Sequence, residues 1–202
     1  MQLILISEMS RAKNLVIDAL GHRAAGNILI VDSASRGSPI EPKIRGGSAS
    51  GEYLKRGANI THADLLETGP VDLREVDVIH FTGGDPFRLL RGCRAAGFRP
   101  AMEARDQIRP LSIVGSSAGA MVFGDSVDHA RIYCSPQGLP NTDGFGWLPG
   151  QIMPHFDKPG RYGEGIRRHV MDNPGDWTLI TEEGCKVFDL QLEAGIEPFA
   201  TP

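Results

Sequence analysis

A serine becomes a candidate nucleophile where the chain turns sharply enough to lift its hydroxyl clear of the backbone. Leu111-Ser112-Ile113-Val114-Gly115-Ser116-Ser117-Ala118-Gly119-Ala120 has that form, an apolar run that breaks into Gly-x-Ser-x-Gly, the pattern of a strand-to-helix elbow. Side chains at Gly115 and Gly119 would collide with the neighbouring strand or helix. Ser117 is the residue such a turn would present. The same residues also read as a Gly/Ser loop with a serine N-cap ahead of a helix.

A serine hydroxyl attacks a carbonyl only when a base takes its proton, and the base in turn needs a third group to hold its tautomer. Among the 6 histidines, His22 and His62 lie away from strand ends, His80 lies inside an apolar run, and His169 follows Arg167 and Arg168. Each reads as a surface or structurally bonded residue, and His129 is a weaker candidate base. His155 stands apart in Gln151-Ile152-Met153-Pro154-His155-Phe156-Asp157, on a loop at a strand end, where bases commonly sit. Glu164 follows where a loop passes into a helix and could turn back to His155. Asp125, Asp128 and Asp157 are rivals for the third role that spacing leaves open.

The elements that must position these residues are short apolar strands alternating with helices. Strands are expected at Leu3–Ile6, Asn27–Asp32, Asn59–Leu65, Val76–Phe81 and Leu111–Val114. Helices are expected over Lys13–Leu20, Gly51–Gly57 and Phe87–Arg91, with another before Leu111 and another behind Ser117. This alternation predicts an α/β fold, a mainly parallel sheet with helices on both faces. Sites in such folds sit beyond the carboxyl ends of the strands. Gly83-Gly84 and Ser117 should therefore meet on one rim. Trp177–Phe188 reads as two strands joined at Glu183-Gly184. Ser33–Ser50, rich in Ser, Gly, Pro and charge, reads as a long surface loop, either lining a site or a plain insert.

The 202 residues fit one catalytic domain spanning 1–202, with 41% hydrophobic and 23% charged content. A net charge of -4 with scattered Lys and Arg argues against a nucleic-acid partner. The opening Met1-Gln2-Leu3-Ile4-Leu5-Ile6-Ser7 has neither a basic leader nor a long apolar stretch, and no later run approaches a membrane span. A cytoplasmic protein without a membrane partner is the expectation. Cys93, Cys134 and Cys185 are too few and too far apart for a disulfide framework or a zinc site.

Three motifs in order carry a more specific signal. Gly115-Ser116-Ser117-Ala118-Gly119-Ala120, the earlier Phe81-Thr82-Gly83-Gly84-Asp85-Pro86-Phe87-Arg88-Leu89-Leu90, and Pro154-His155-Phe156 followed by Gly163-Glu164 together resemble the peptidase E (aspartyl dipeptidase) and cyanophycinase family of serine peptidases. The resemblance implies a flavodoxin-like fold related to class I glutamine amidotransferases, with serine in place of their cysteine. It implies Ser117 as nucleophile, His155 as base and Glu164 as orienting acid, with the Ala118 and Gly84 N–H groups as oxyanion hole. Family members also carry an acid between serine and histidine, which Asp125 or Asp128 could match.

The expected reaction is acyl transfer to Ser117 from a short peptide, with no metal or cofactor. The order Ser, His, acid departs from that of α/β-hydrolases. Peptidase E selects an N-terminal aspartate through an arginine two positions after the matching glutamate, and Ile166 stands there in this chain. Aspartate preference is therefore not expected from that position, although Arg88, Arg161, Arg167, Arg168 or the Lys43 and Arg45 loop could substitute. An esterase-type hydrolase and a non-catalytic amidotransferase-like binding module are the alternatives, and the sequence leaves a homo-oligomer open.

Overall fold

Successive apolar residues of each inner strand point to opposite faces of a central sheet and divide the interior into two cores. A computed structural model describes residues 1–35, 47–136 and 138–191. Its strands are β1 (Gln2–Ile6), β2 (Asn27–Val31), β3 (Asn59–Ala63), β4 (Val78–Phe81), β5 (Ser112–Ser116), β6 (Gln151–Met153), β7 (Trp177–Leu179) and β8 (Cys185–Asp189). Its helices are α1 (Met9–Leu20), α2 (Gly47–Leu54), α3 (Leu65–Thr68), α4 (Pro86–Ala95), α5 (Phe98–Ile108), α6 (Ala118–Met121) and α7 (Gly160–Asp172). The main sheet runs β3-β2-β4-β5-β1-β8, all parallel except for β8, which pairs antiparallel with β1.

Side chains alternate across a sheet, and the two cores follow that rule. Leu3, Leu5, Leu29, Val31, Ile79, Phe81 and Ile113 meet Phe87, Leu90, Phe98 and Met102 from α4 and α5 on one face. Ile4, Ile6, Ile28, Ile30, Val78 and Val114 meet Met9, Ala12, Val16 and Tyr53 from α1 and α2 on the other. The expected α/β architecture is thus present, with a parallel core buried on both faces.

Two buried polar groups reinforce this core. Arg105 of α5, only 3% exposed, donates to the carbonyls of Leu73 at 2.8 Å, Val76 at 2.5 Å and Arg109 at 2.7 Å. It thereby ties the segment entering β4 to α5. On the opposite face His80 of β4 lies 2.9 Å from the Tyr53 hydroxyl through Nδ1 and 2.8 Å from Ser116 Oγ through Nε2. This fits its reading as a bonded core histidine, and burial pushes its imidazole pKa down to about 3.

Three expectations change in detail. The helix predicted from Gly51 begins at Gly47 and ends at Leu54. The helix behind Ser117 is a single turn, Ala118–Met121. The two strands predicted in Trp177–Phe188 exist, but they do not pair with each other. β7 pairs in parallel with β6 in a separate two-stranded sheet, whereas β8 closes the main sheet against β1. Of the Ser33–Ser50 segment, 36–46 lies outside the described residues, Lys43 and Arg45 with it.

Gly119 packs against β4 so closely that an added Cβ would stand 2.4 Å from the Phe81 carbonyl oxygen. Gly119→Ala is therefore expected to destabilise the fold by about 1–3 kcal/mol through overpacking. Gly165→Ala, at an exposed position inside α7 with no atom within 4 Å of the new Cβ, should stabilise it by about 0.5–1 kcal/mol. Urea unfolding midpoints test the pair. A second expectation concerns acid. Native His80 refuses a proton between about pH 6.5 and about 3, while the unfolded chain binds one. Stability should fall as pH drops through that window, by up to about 1.4 kcal/mol per pH unit for this group. Denaturant melts at stepped pH measure the slope, and an imidazole NMR signal for His80 that titrates near 6.5 would contradict it.

Candidate active site

Ser117 sits between the end of β5 and the start of α6, with φ 51° and ψ −113°. A non-glycine residue reaches this region only when its surroundings over-determine it, at a cost of about 1–3 kcal/mol. The surroundings here are specific. Ser117 N donates to the Ile6 carbonyl at 3.0 Å, and the Ser117 carbonyl accepts from Ala120 N at 2.8 Å and Met121 N at 3.2 Å. A Cβ at Gly115 would stand 2.5 Å from the Gly119 carbonyl oxygen. The glycines let helix and strand close on each other, and the serine between them takes up the bend.

His155 supplies the partner. Its Nε2 lies 2.9 Å from Ser117 Oγ, and its Nδ1 is hydrogen-bonded to Glu182 Oε1. A carboxylate can only accept, so Nδ1 carries the proton and Nε2 keeps its lone pair toward the serine hydroxyl. His155 also has a left-handed backbone, φ 62°. Ser7, beyond the end of β1, holds that backbone: its Oγ accepts from His155 N at 2.8 Å and donates to the Ile180 carbonyl at 3.1 Å. Burial pushes the His155 pKa below the ordinary imidazole value, opposed by the hydrogen bond and charge of Glu182.

Glu182 is the residue that sequence reasoning missed. It is buried in the turn after β7, and parallel pairing of Met153 with Leu179 sets that turn beside the His155 loop. Asp157, weighed for the third role from sequence, instead accepts from Glu182 N at 2.6 Å and so holds the turn in place. Arg11 Nε lies 3.6 Å from Glu182 Oε2, and Lys158 Nζ lies 4.0 Å from Oε1. The one local mark of Glu182, a place just past an apolar strand, is shared with Asp32 and Asp64 and does not single it out.

Glu164 is not brought to His155. It lies on the exposed side of α7, where helical geometry directs it away from the face that carries buried Gly163 and Ile166. Asp125 accepts from Gly150 N at 2.7 Å, and Asp128 pairs with Arg131 at 2.5 Å. His129 is buried, and its Nε2 donates to the Ile152 carbonyl at 3.0 Å, away from Ser117.

The Gly83-Gly84 turn stands against Ser117, as expected from the strand ends. A Cβ on Gly83 would be 3.2 Å from Ser117 Cβ. Gly84 has φ 138°, and a Cβ there would meet the Ala34 carbonyl oxygen at 2.1 Å, so only glycine lets this turn reach the rim. Asp85 then caps α4, accepting from Phe87 N at 2.9 Å and Arg88 N at 3.2 Å. Among the described residues, no group of three or more potential metal ligands occurs, and no helix is long and apolar enough to cross a membrane. Cys93, Cys134 and Cys185 are free thiols.

Cyanophycinases of Trichormus variabilis and a Nostoc species are each 32% identical over 182 residues, covering 80% of this chain. The chain spans 57% of the length of those relatives. The fold is shared with a candidate peptidase E protein from Listeria monocytogenes EGD-e, TM-score 0.78 and 16% identity over 95% of this chain and 98% of that one. A peptidase from an acI-B1 actinobacterium aligns with TM-score 0.65 and 20% identity over 93% of this chain and 82% of its own. The model of peptidase family S51 matches residues 10–189, and with the serine elbow and histidine loop falling inside that match, the chain belongs to peptidase family S51.

Proposed function

We propose that the protein is a serine peptidase that hydrolyses short peptides through Ser117, His155 and Glu182. The observation that carries this reading is the His155 ring, 2.9 Å from Ser117 Oγ on one side and bonded to the Glu182 carboxylate on the other. His155 takes the Ser117 proton as Oγ attacks the peptide carbonyl, forming a C–O bond and a tetrahedral oxyanion. Collapse expels the amine, which receives the same proton from His155. Water, deprotonated in turn by His155, then releases the acyl group and restores the serine.

Glu182 holds the productive tautomer and stabilises the imidazolium formed during transfer. The Ala118 N–H, at the start of α6, and the Gly84 N–H are assigned to the oxyanion. Removal of one such donor typically costs about 3–4 kcal/mol of transition-state stabilisation. The strain at Ser117 and His155 supports catalysis over a vestigial binding role, since a module without chemistry gains nothing from two left-handed non-glycine residues.

Among the described residues, the arginines considered as anion contacts for the substrate are engaged or exposed. Arg88 pairs with Asp64 at 2.7 Å, Arg167 donates to the Phe156 and Lys158 carbonyls at 3.2 and 3.1 Å, and Arg161 and Arg168 are exposed on α7. Ile166 is buried. Selection of an acidic side chain is accordingly not part of the reading.

Ser117→Ala should lower kcat at least about a thousandfold with an unchanged unfolding midpoint or a higher one. Glu182→Gln should lower it about a hundredfold or more, whereas Glu164→Gln should stay within about twofold, as befits an exposed residue. Steady-state cleavage of a mixed di- and tripeptide set, followed by mass spectrometry, measures all three. A protonated His155 cannot accept the serine proton, so kcat/KM should fall on acidification with a midpoint below the ordinary imidazole value of about 6.5. Glu182→Gln removes the carboxylate charge that helps raise the His155 pKa, and the remaining activity should titrate at still lower pH. A midpoint that stays in place would detach Glu182 from the base.

A further inference from the structure

Resting on the peptidase reading, the geometry points to an aromatic subsite beside the triad, built by Tyr162 and Tyr133, that takes an apolar or aromatic side chain next to the cleaved bond. Tyr162, in the first turn of α7, presents its ring to His155 edge to face, with centroids 6.1 Å apart and an interplanar angle of 74°. It remains 42% exposed. Tyr133 lies 5.4 Å from it at 41°. The Tyr133 hydroxyl donates to Met121 Sδ at 3.7 Å, and Met121 belongs to the single helical turn that Ser117 begins. The two rings therefore stand between the histidine loop and the nucleophile's own helix, on the side of the site where a peptide lying across Ser117 must place a flanking residue.

The chemistry of this wall selects its occupant. Four residues on from Tyr162, the same helical face carries buried Ile166. Both tyrosines have hydroxyl pKa values raised by burial, so neither carries charge at neutral pH. Lys158 Nζ lies 5.5 Å from the Tyr162 centroid and is drawn to Glu182 at 4.0 Å, which disfavours a second cation there. An acidic substrate side chain would lose its hydration against two aromatic faces, whereas an apolar one gains from covering them.

The test measures kcat/KM for dipeptides and tripeptides with Phe, Leu, Gly, Asp or Lys on each side of the cleaved bond, using wild type, Tyr162→Ala, Tyr162→Phe and Ser117→Ala. Phe and Leu peptides should be cleaved at least about tenfold faster than their Asp and Lys counterparts at one of the two positions. Tyr162→Ala should erase most of that preference through KM, and Tyr162→Phe should retain the ranking, which a general loss of packing would not reproduce. Equal rates, an acidic preference, or an intact ranking in Tyr162→Ala while Ser117-dependent cleavage persists overturns the subsite alone. Absence of Ser117-dependent cleavage of every peptide overturns the peptidase reading and the subsite with it.

Discussion

The contact on which the site depends lies where the first turn of α6 rests on the ends of β4 and β5. No side chain fits at Gly119, whose Cβ would be 2.4 Å from the Phe81 carbonyl oxygen, or at Gly115, 2.5 Å from the Gly119 carbonyl oxygen. With those two points pinned, the residues between them cannot relax, and Ser117 is driven to φ 51°. The same contact brings the turn after β4 against the turn after β5, so the glycine pair and the serine share one rim. A fully buried parallel core makes this possible. Phe81 packs edge to face with Phe98 and Phe123 at 5.9 and 5.4 Å, and that cluster offers no slack for the elbow to open.

A second, smaller constraint brings the base. β6 and β7 form their own parallel pair, and the segments leaving them carry His155 and Glu182 side by side. Ser7 stitches that pair to the main sheet by bonding His155 N and the Ile180 carbonyl. The chain then returns as β8 to close the sheet against β1. The site thus belongs to two sheets. Its left-handed residues store strain at the junction, which the interlocking backbone bonds hold in place.

Electrostatics follows burial here. His80 and His155 are both desolvated, but of the two His155 alone has a carboxylate on one ring nitrogen and the elbow serine's hydroxyl on the other. His80 faces two neutral hydroxyls and stays uncharged far into acid. Arg11, Lys158 and the Asp157 contact to Glu182 N surround the third member. Each histidine's job is thus set by what its second nitrogen meets, not by the strand that carries it.

Short apolar strands, the helices between them, the Gly-x-Ser-x-Gly elbow and the histidine after Pro154 were all legible in sequence, because each is a local pattern with a local physical cause. The glycine pair after β4 was legible for the same reason. The identity of the acid was not. Glu164 is near His155 along the chain but faces solvent from α7, whereas Glu182 is 27 positions away and arrives through the parallel register of β6 and β7. The two strands of Trp177–Phe188 were likewise visible while their partners were not. A strand's sequence records which face it buries, but pairing depends on edges that other parts of the chain supply. Local composition determined the elbow, the fold class and the histidine loop of this protein; tertiary structure alone decided which carboxylate meets that histidine, because the pairing of β6 with β7 joins segments far apart along the chain.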